Sequence, residues 1–162
     1  GSVLQKGCSV LKQKLLVFYK KEKSTSRMKL KKFGPSKLKV KNTLRLKAKA
    51  GQARQLTSFT LDLAREFKSC DAELGEHRFQ AMESLAKICS MAKQDVLTKQ
   101  ELTEWRWLSA IHMYHYAHCN FSVVPKFHYF LHLPEQMERG GVARQGSWGK
   151  HVLPYFVAIM FR

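Results

Sequence analysis

Metal-ligating side chains crowd one stretch of the chain: His112, His115, His118, Cys119, His128 and His132. On a helix, the steps of three from His112 to His115 and from His115 to His118 set imidazoles on adjoining parts of one face. His128 and His132 stand one turn apart on the next predicted helix. Two such helices packed antiparallel would gather nitrogens for a tetrahedral zinc site. Tyr114, Tyr116, Phe127, Tyr129 and Phe130 interleave with the histidines. That favours a plainer arrangement, in which the rings line a helix interface and each bonds a carbonyl or water. No Cys-x-x-Cys or His-Glu-x-x-His accompanies the group, and neither a metal nor another cofactor is expected.

Other reactive types are scattered. Cys8, Cys70, Cys89 and Cys119 are far apart in sequence and read as reduced, partly buried thiols. Cys119 and a neighbouring histidine have the types of a nucleophile and its base, but adjacency alone does not supply the geometry. Glu73, Glu76 and His77 could do acid–base work, yet beside a helix start they read as charges complementing the dipole. There is no glycine-rich phosphate loop, no catalytic residue is assigned, and an enzyme is not expected. Trp105 and Trp107 stand two apart and so face different ways. One is expected in the core, the other as a stacking platform or partner anchor, with Arg106 between them suited to a phosphate.

The strongest signal is cationic. Residues 1–50 hold 16 Lys and Arg against the single acid Glu22, a net of 16 − 1 = +15, whereas residues 51–162 hold 13 against 11, a net of +2. Such a segment repels itself in water and is favoured beside a polyanion, where each neutralised phosphate releases counterions. The residues expected on the phosphate backbone are Lys29, Lys31, Lys32, Lys37, Lys39, Lys41, Arg45, Lys47 and Lys49, together with Arg106. Lysine dominates this set, which predicts contact with DNA or RNA at low sequence specificity, because base readout needs bidentate side chains on a rigid element. From Lys20 to Lys49 aliphatic residues are too sparse for a membrane-lying helix. The basic, acid-poor start also resembles an organellar targeting peptide, which would normally be removed, and the sequence leaves the compartment open between the nucleus and an organelle.

The 162 residues, 44% hydrophobic and 11% aromatic, suffice for one core and exclude a wholly disordered tail. No apolar run reaches the roughly 18 to 20 residues that cross a bilayer. Gly1-Ser2, without an initiator Met, reads as a fragment start. Residues 3–19 mix aliphatics with lysine and suit a helix or a strand. Gly34-Pro35-Ser36 is a turn signal, and Lys37 to Lys47 alternates like a strand with one cationic face.

Beyond Gly51 the period becomes helical. Ala53, Leu56, Phe59, Thr60, Leu63 and Phe67 predict a helix over 52–68, and Leu74 to Lys93 predicts a second. Thr98-x-x-Glu101 has capping-box spacing and opens a third, running to about Asn120. A fourth covers 126–133, with Pro134 bending or ending it before Gly140-Gly141. The expected fold is mostly α: a small bundle of about four helices over 51–141, preceded by an extended, strongly basic N-terminal arm over 1–50. A loop and apolar segment, 142–162, follows, with its apolar run at Val152 to Phe161.

The stretch Pro125-Lys-Phe-His-Tyr-Phe-Leu-His-Leu-Pro-Glu-Gln-Met-Glu-Arg-Gly140 resembles the helical region that follows the catalytic core in proteins of CACTA-class (En/Spm-like) transposable elements, with Pro-Lys-x-His, three residues, a second His and then a Gly. Arg45-Leu-Lys-Ala-Lys-Ala-Gly-Gln-Ala-Arg-Gln-Leu is similar to a Lys-Ala-x-x-x-Arg-x-Leu segment of the same proteins, so the resemblance spans about Leu44 to Gly141. The chain departs from the pattern after Gly141, where no acid follows Glu138. Strand transfer needs clustered carboxylates to hold two divalent metals, and none is present. The resemblance implies ancestry and a nucleic-acid habitat rather than an active transposase. The expected role is a non-catalytic, low-specificity nucleic-acid-binding protein. The alternative is a structural subunit of a large assembly, such as an organellar ribonucleoprotein or a photosynthetic or respiratory complex, with protein subunits as partners.

Overall fold

The computed structural model describes residues 3–23, 27–40, 43–44, 50–94, 96–119 and 126–140. The fold is mostly helical. In chain order the elements are α1 (Val3–Lys21), α2 (Pro35–Leu38), β1 (Lys39–Val40), β2 (Thr43–Leu44), α3 (Ala50–Glu66), α4 (Gly75–Met91), α5 (Lys99–His118) and α6 (Lys126–Gly140), with short 3-10 turns at Leu30–Lys32 and Lys68–Cys70. None of these helices is long and apolar enough to cross a membrane.

Helices α3, α4, α5 and α6 are the four that periodicity predicts. They pack as successive neighbours, α3 on α4, α4 on α5 and α5 on α6. Their shared core holds Met82, Leu85 and Ile88 of α4, Leu102, Trp105, Leu108 and Tyr116 of α5, and Leu133 and Met137 of α6. The Thr98–Glu101 capping box is formed. The Thr98 hydroxyl accepts the Glu101 amide at 3.2 Å, and the Glu101 carboxylate accepts the Thr98 amide at 2.7 Å. That backbone bond holds the Glu101 carboxyl below its ordinary value. Helix α6 runs through Pro134. Burial of Leu133, Pro134 and Met137 outweighs the amide bond that a proline cannot make.

The first third departs from an extended arm. Its beginning is the 19-residue helix α1. Leu15 and Tyr19 of α1, Met28 and Phe33 beyond it, and Leu56 and Phe59 of α3 form a second buried cluster. The Tyr19 hydroxyl accepts the Met28 amide at 3.2 Å, and the Gln52 side-chain amide donates to the Arg27 carbonyl at 3.2 Å. Chain 27–33 is thus doubled back onto the last turns of α1 and tied to α3. The alternating stretch 37–47 is not one long strand either. Lys37 and Leu38 belong to α2, and the described part of the rest is a two-residue antiparallel ladder with Lys39 opposite Leu44 and Val40 opposite Thr43. Residues 142–162, with the apolar run at Val152 to Phe161, lie outside the described residues.

Entry into α4 depends on Asp71 and Gly75. The Asp71 carboxylate accepts the amides of Glu73 at 3.2 Å and Leu74 at 3.0 Å, which lowers its pKa. Gly75 is buried at the start of the helix, where an added Cβ would lie 1.9 Å from the Lys68 carbonyl oxygen. Gly75→Ala is therefore expected to cost on the order of 3 kcal/mol in urea unfolding. Gly7→Ala on α1, where a Cβ meets nothing within 4 Å, should stabilise by about 0.5 to 1 kcal/mol.

Candidate nucleic-acid interface

The anchored turn presents cations outward. In Met28-Lys-Leu-Lys-Lys-Phe33 the two ends are buried while Lys29 and Lys31 are exposed. Burial at Met28 and Phe33 fixes the backbone, so those lysines stand on a mount rather than on a free coil. Lys37 follows on α2, half-exposed. The side chains of Lys32 and Lys39, and all of Lys41, Arg45, Lys47 and Lys49, lie outside the described residues.

The structure adds cations that the sequence reading did not select. Exposed Lys20 and Lys21 end α1 and Lys23 follows them, where the negative end of the helix dipole favours them. Arg27 folds back against the same turn. Its guanidinium donates to the Glu22 carbonyl and stands 5.6 Å from the Tyr19 ring centroid. The available signal was the run Lys20-Lys21-Glu22-Lys23, which the chain reversal brings against Arg27.

Counter-charge is sparse on this surface: Glu22 is the acid within the basic run. Among the described residues, five acids of the helical body are bound to that body's own cations: Asp62 to Arg65, Asp71 to Arg78, Glu76 to Lys68, Glu83 to Lys87 and Glu138 to Arg106. Glu66 takes Lys14 of α1 at 2.6 Å, an ion pair between the basic third and the body. Between α1 and α3 an open cleft of about 420 Å³ carries Lys14 and Lys21 beside Asp62 and Glu66, which balances its charge and makes it a poor phosphate site.

Arg106 is not brought to the basic turn. Its guanidinium pairs with the Glu138 carboxylate at 3.0 Å and joins α5 to α6. The two tryptophans do divide as the spacing predicts, with Trp105 fully buried and Trp107 69% exposed.

His112 and His132 go to separate partners, while His77, His115 and His118 stack as a group beside Tyr114. His112 is fully buried and its Nδ1 donates to the Ala81 carbonyl on α4 at 2.7 Å. Burial lowers its pKa to about 4. His118 donates to the Tyr114 carbonyl one turn back, at 2.8 Å, and His132 lies 3.3 Å from the Glu135 carboxylate. His115 meets His77 of α4, Nδ1 to Nδ1, at 2.8 Å. The ring centroids are 5.1 Å apart, which equals that gap plus the two ring radii. The nitrogens therefore point straight at each other, as in an N–H···N bond sharing one proton, and do not converge on a common ion. Burial, then His77 and His118, lower the His115 pKa. Among the described residues no group of three ligating side chains is placed to hold a metal, and the side chain of His128 lies outside them. Burial raises the Cys119 thiol, the reverse of what a nucleophile needs. His77, 38 residues from its partner, carries no local spacing signal that pairs it with His115.

No family model, curated protein or solved structure matches this chain.

His112 makes the core pH-sensitive. Its folded pKa of about 4 lies below the ordinary 6.5, so the folded state binds fewer protons between those values. The stability involved is complete above pH 6.5 and is withdrawn as pH falls toward 4, by on the order of 3 kcal/mol. Urea midpoints should drop across that window, and His112→Leu should flatten the drop while costing about 1 to 2 kcal/mol at pH 7.

Proposed function

We propose that the chain is a non-catalytic, low-specificity nucleic-acid-binding protein of transposon ancestry, whose basic N-terminal third contacts the phosphate backbone. The observation that carries this reading is the segregation of charge. Five of the body's acids pair with its own lysines and arginines, while Lys20, Lys23, Lys29 and Lys31 are exposed along the segments that the buried Tyr19, Met28 and Phe33 anchor. Cations gathered there release counterions when they meet phosphates. The ancestry rests on the Pro125 to Gly140 resemblance, and Lys41, Arg45, Lys47 and Lys49 are proposed to extend the same contact.

A second reading, a structural subunit of a larger assembly, is favoured by one feature. Val3, Val10 and Val17 recur every seven residues along α1 and are 89%, 53% and 54% exposed, a stripe that a neighbouring protein could cover.

Deleting the whole basic third is a poor test, because it would strip the cover from Leu56 and Phe59. Charge reversal is cleaner. Lys29→Glu, Lys31→Glu and Lys37→Glu together should leave helicity unchanged and weaken binding of labelled DNA and RNA to a similar degree across sequences. The slope of log K against log salt should become shallower by about 2 to 3, measured by fluorescence anisotropy between about 50 and 200 mM salt. Absence of binding at the low-salt end, or an unaltered slope in the triple variant, overturns the proposal.

A further inference from the structure

Helix α5 has two apolar sides and, among the described residues, only one of them is covered. Trp105, Leu108, His112 and Tyr116 face α4 and α6 in the core. On the other side Thr103, Trp107, Ala110, Tyr114 and Ala117 follow one another in steps of four, three, four and three, and all five are exposed. Trp107 is 69% exposed and Tyr114 58%. That spacing is the seam of a two-helix coiled coil, which stays on one face of the helix. The strip carries no charge, in a chain whose net charge is +17.

We infer that this strip is a homodimer interface, in which α5 of one copy packs antiparallel on α5 of another. The occupant follows from the order of sizes. From either end the strip runs small, large, small, large, small, so it is its own complement about Ala110, as an isologous two-fold contact requires. Ala110 meets Ala110 of the second copy and lets the backbones approach. Trp107 then lies against Tyr114 of the second copy, and the reverse, giving two aromatic pairs. Thr103 lies against Ala117. The flanks agree with the antiparallel sense, which brings Glu104 toward the end of α5 that holds His118, whereas parallel pairing would set Glu104 against Glu104. A phosphate chain is a poor occupant, since the five residues carry no cation, Glu104 borders them on one side, and Arg106 on the other side is already paired with Glu138. The inference does not depend on the proposed function. If both hold, dimerisation doubles the cationic surfaces carried by one particle and raises avidity for a long polyanion.

Five residues bury less than the roughly 1,200 Å² of a standard stable interface, so the dimer belongs to the weak class, with a Kd on the order of 10 μM. Sedimentation equilibrium of the full chain in about 0.3 M salt, which screens repulsion between the two copies, should show a monomer–dimer equilibrium between about 5 and 500 μM. Trp107→Glu, at a solvent-facing position, should keep the circular dichroism of the parent and weaken the dimer by more than about 30-fold. Cysteine cross-linking reads the sense of pairing independently. With the exposed Cys70 replaced by Ser, Ala110→Cys should oxidise to a covalent dimer. Thr103→Cys alone should not, and Thr103→Cys with Ala117→Cys should. A monomer at every concentration, a dimer indifferent to Trp107→Glu, or cross-linking of Thr103→Cys to itself overturns the inference.

Discussion

The small apolar cluster of Leu15, Tyr19, Met28, Phe33, Leu56 and Phe59 is the contact on which the rest of the arrangement depends. It joins a segment of net charge +15 to a nearly neutral helical body. Mutual repulsion among the lysines opposes that junction, and the Lys14–Glu66 pair offsets it at a single exposed point. Burial must therefore supply the attraction, at about 1.5 to 3 kcal/mol for each large side chain. The phenol of Tyr19, which accepts the Met28 amide, adds direction to an otherwise undirected contact. The lysines between the buried anchors are turned outward as a consequence.

Behind this junction the helical body is arranged as a succession. Helix α4 lies between α3 and α5, and α5 between α4 and α6. A helix with neighbours on two sides must carry apolar residues on two sides, which is why α4 has buried residues as varied in position as Ala81, Met82, Ser84, Leu85 and Ile88. His112 is part of the same logic. Its bond to the Ala81 carbonyl fastens α5 to α4 where an apolar side chain could only fill space, and burial keeps it neutral. The exposed strip of α5 is the place where, among the described residues, the succession lacks a neighbour.

Much of this was legible from residue types. The helical period of Leu56, Phe59 and Leu63, the reciprocal chemistry of Thr98 and Glu101, and the opposed faces of Trp105 and Trp107 all act over a few residues, and all appear in the fold. What escaped was long-range or ambiguous. Leu11, Leu15 and Phe18 have helical spacing within the first segment, but the interspersed lysines fit a strand equally well. The strand-like alternation from Lys37 to Lys47 gives way to one turn of helix and a two-residue ladder, because a short alternating run does not dictate where the chain reverses. Proline at 134 signals a break, yet tertiary burial overrides it. The pairing of His77 with His115 is set by how α4 and α5 pack, and no sequence spacing encodes it. The cationic surface was recognisable as a charge imbalance, but its mount was not, since Met28 and Phe33 reveal their role only once Leu56 and Phe59 are beside them.

The claim that the basic third is packed onto the body can be examined most directly by amide hydrogen exchange of the full chain at physiological ionic strength. Amides in the second half of α1 and around Met28 should exchange at least about 100-fold more slowly than in an unstructured peptide, and Phe33→Ala should release both regions together while α4 and α5 remain protected. Exchange of α1 at the unstructured rate, with α4 and α5 fully protected, would contradict the account.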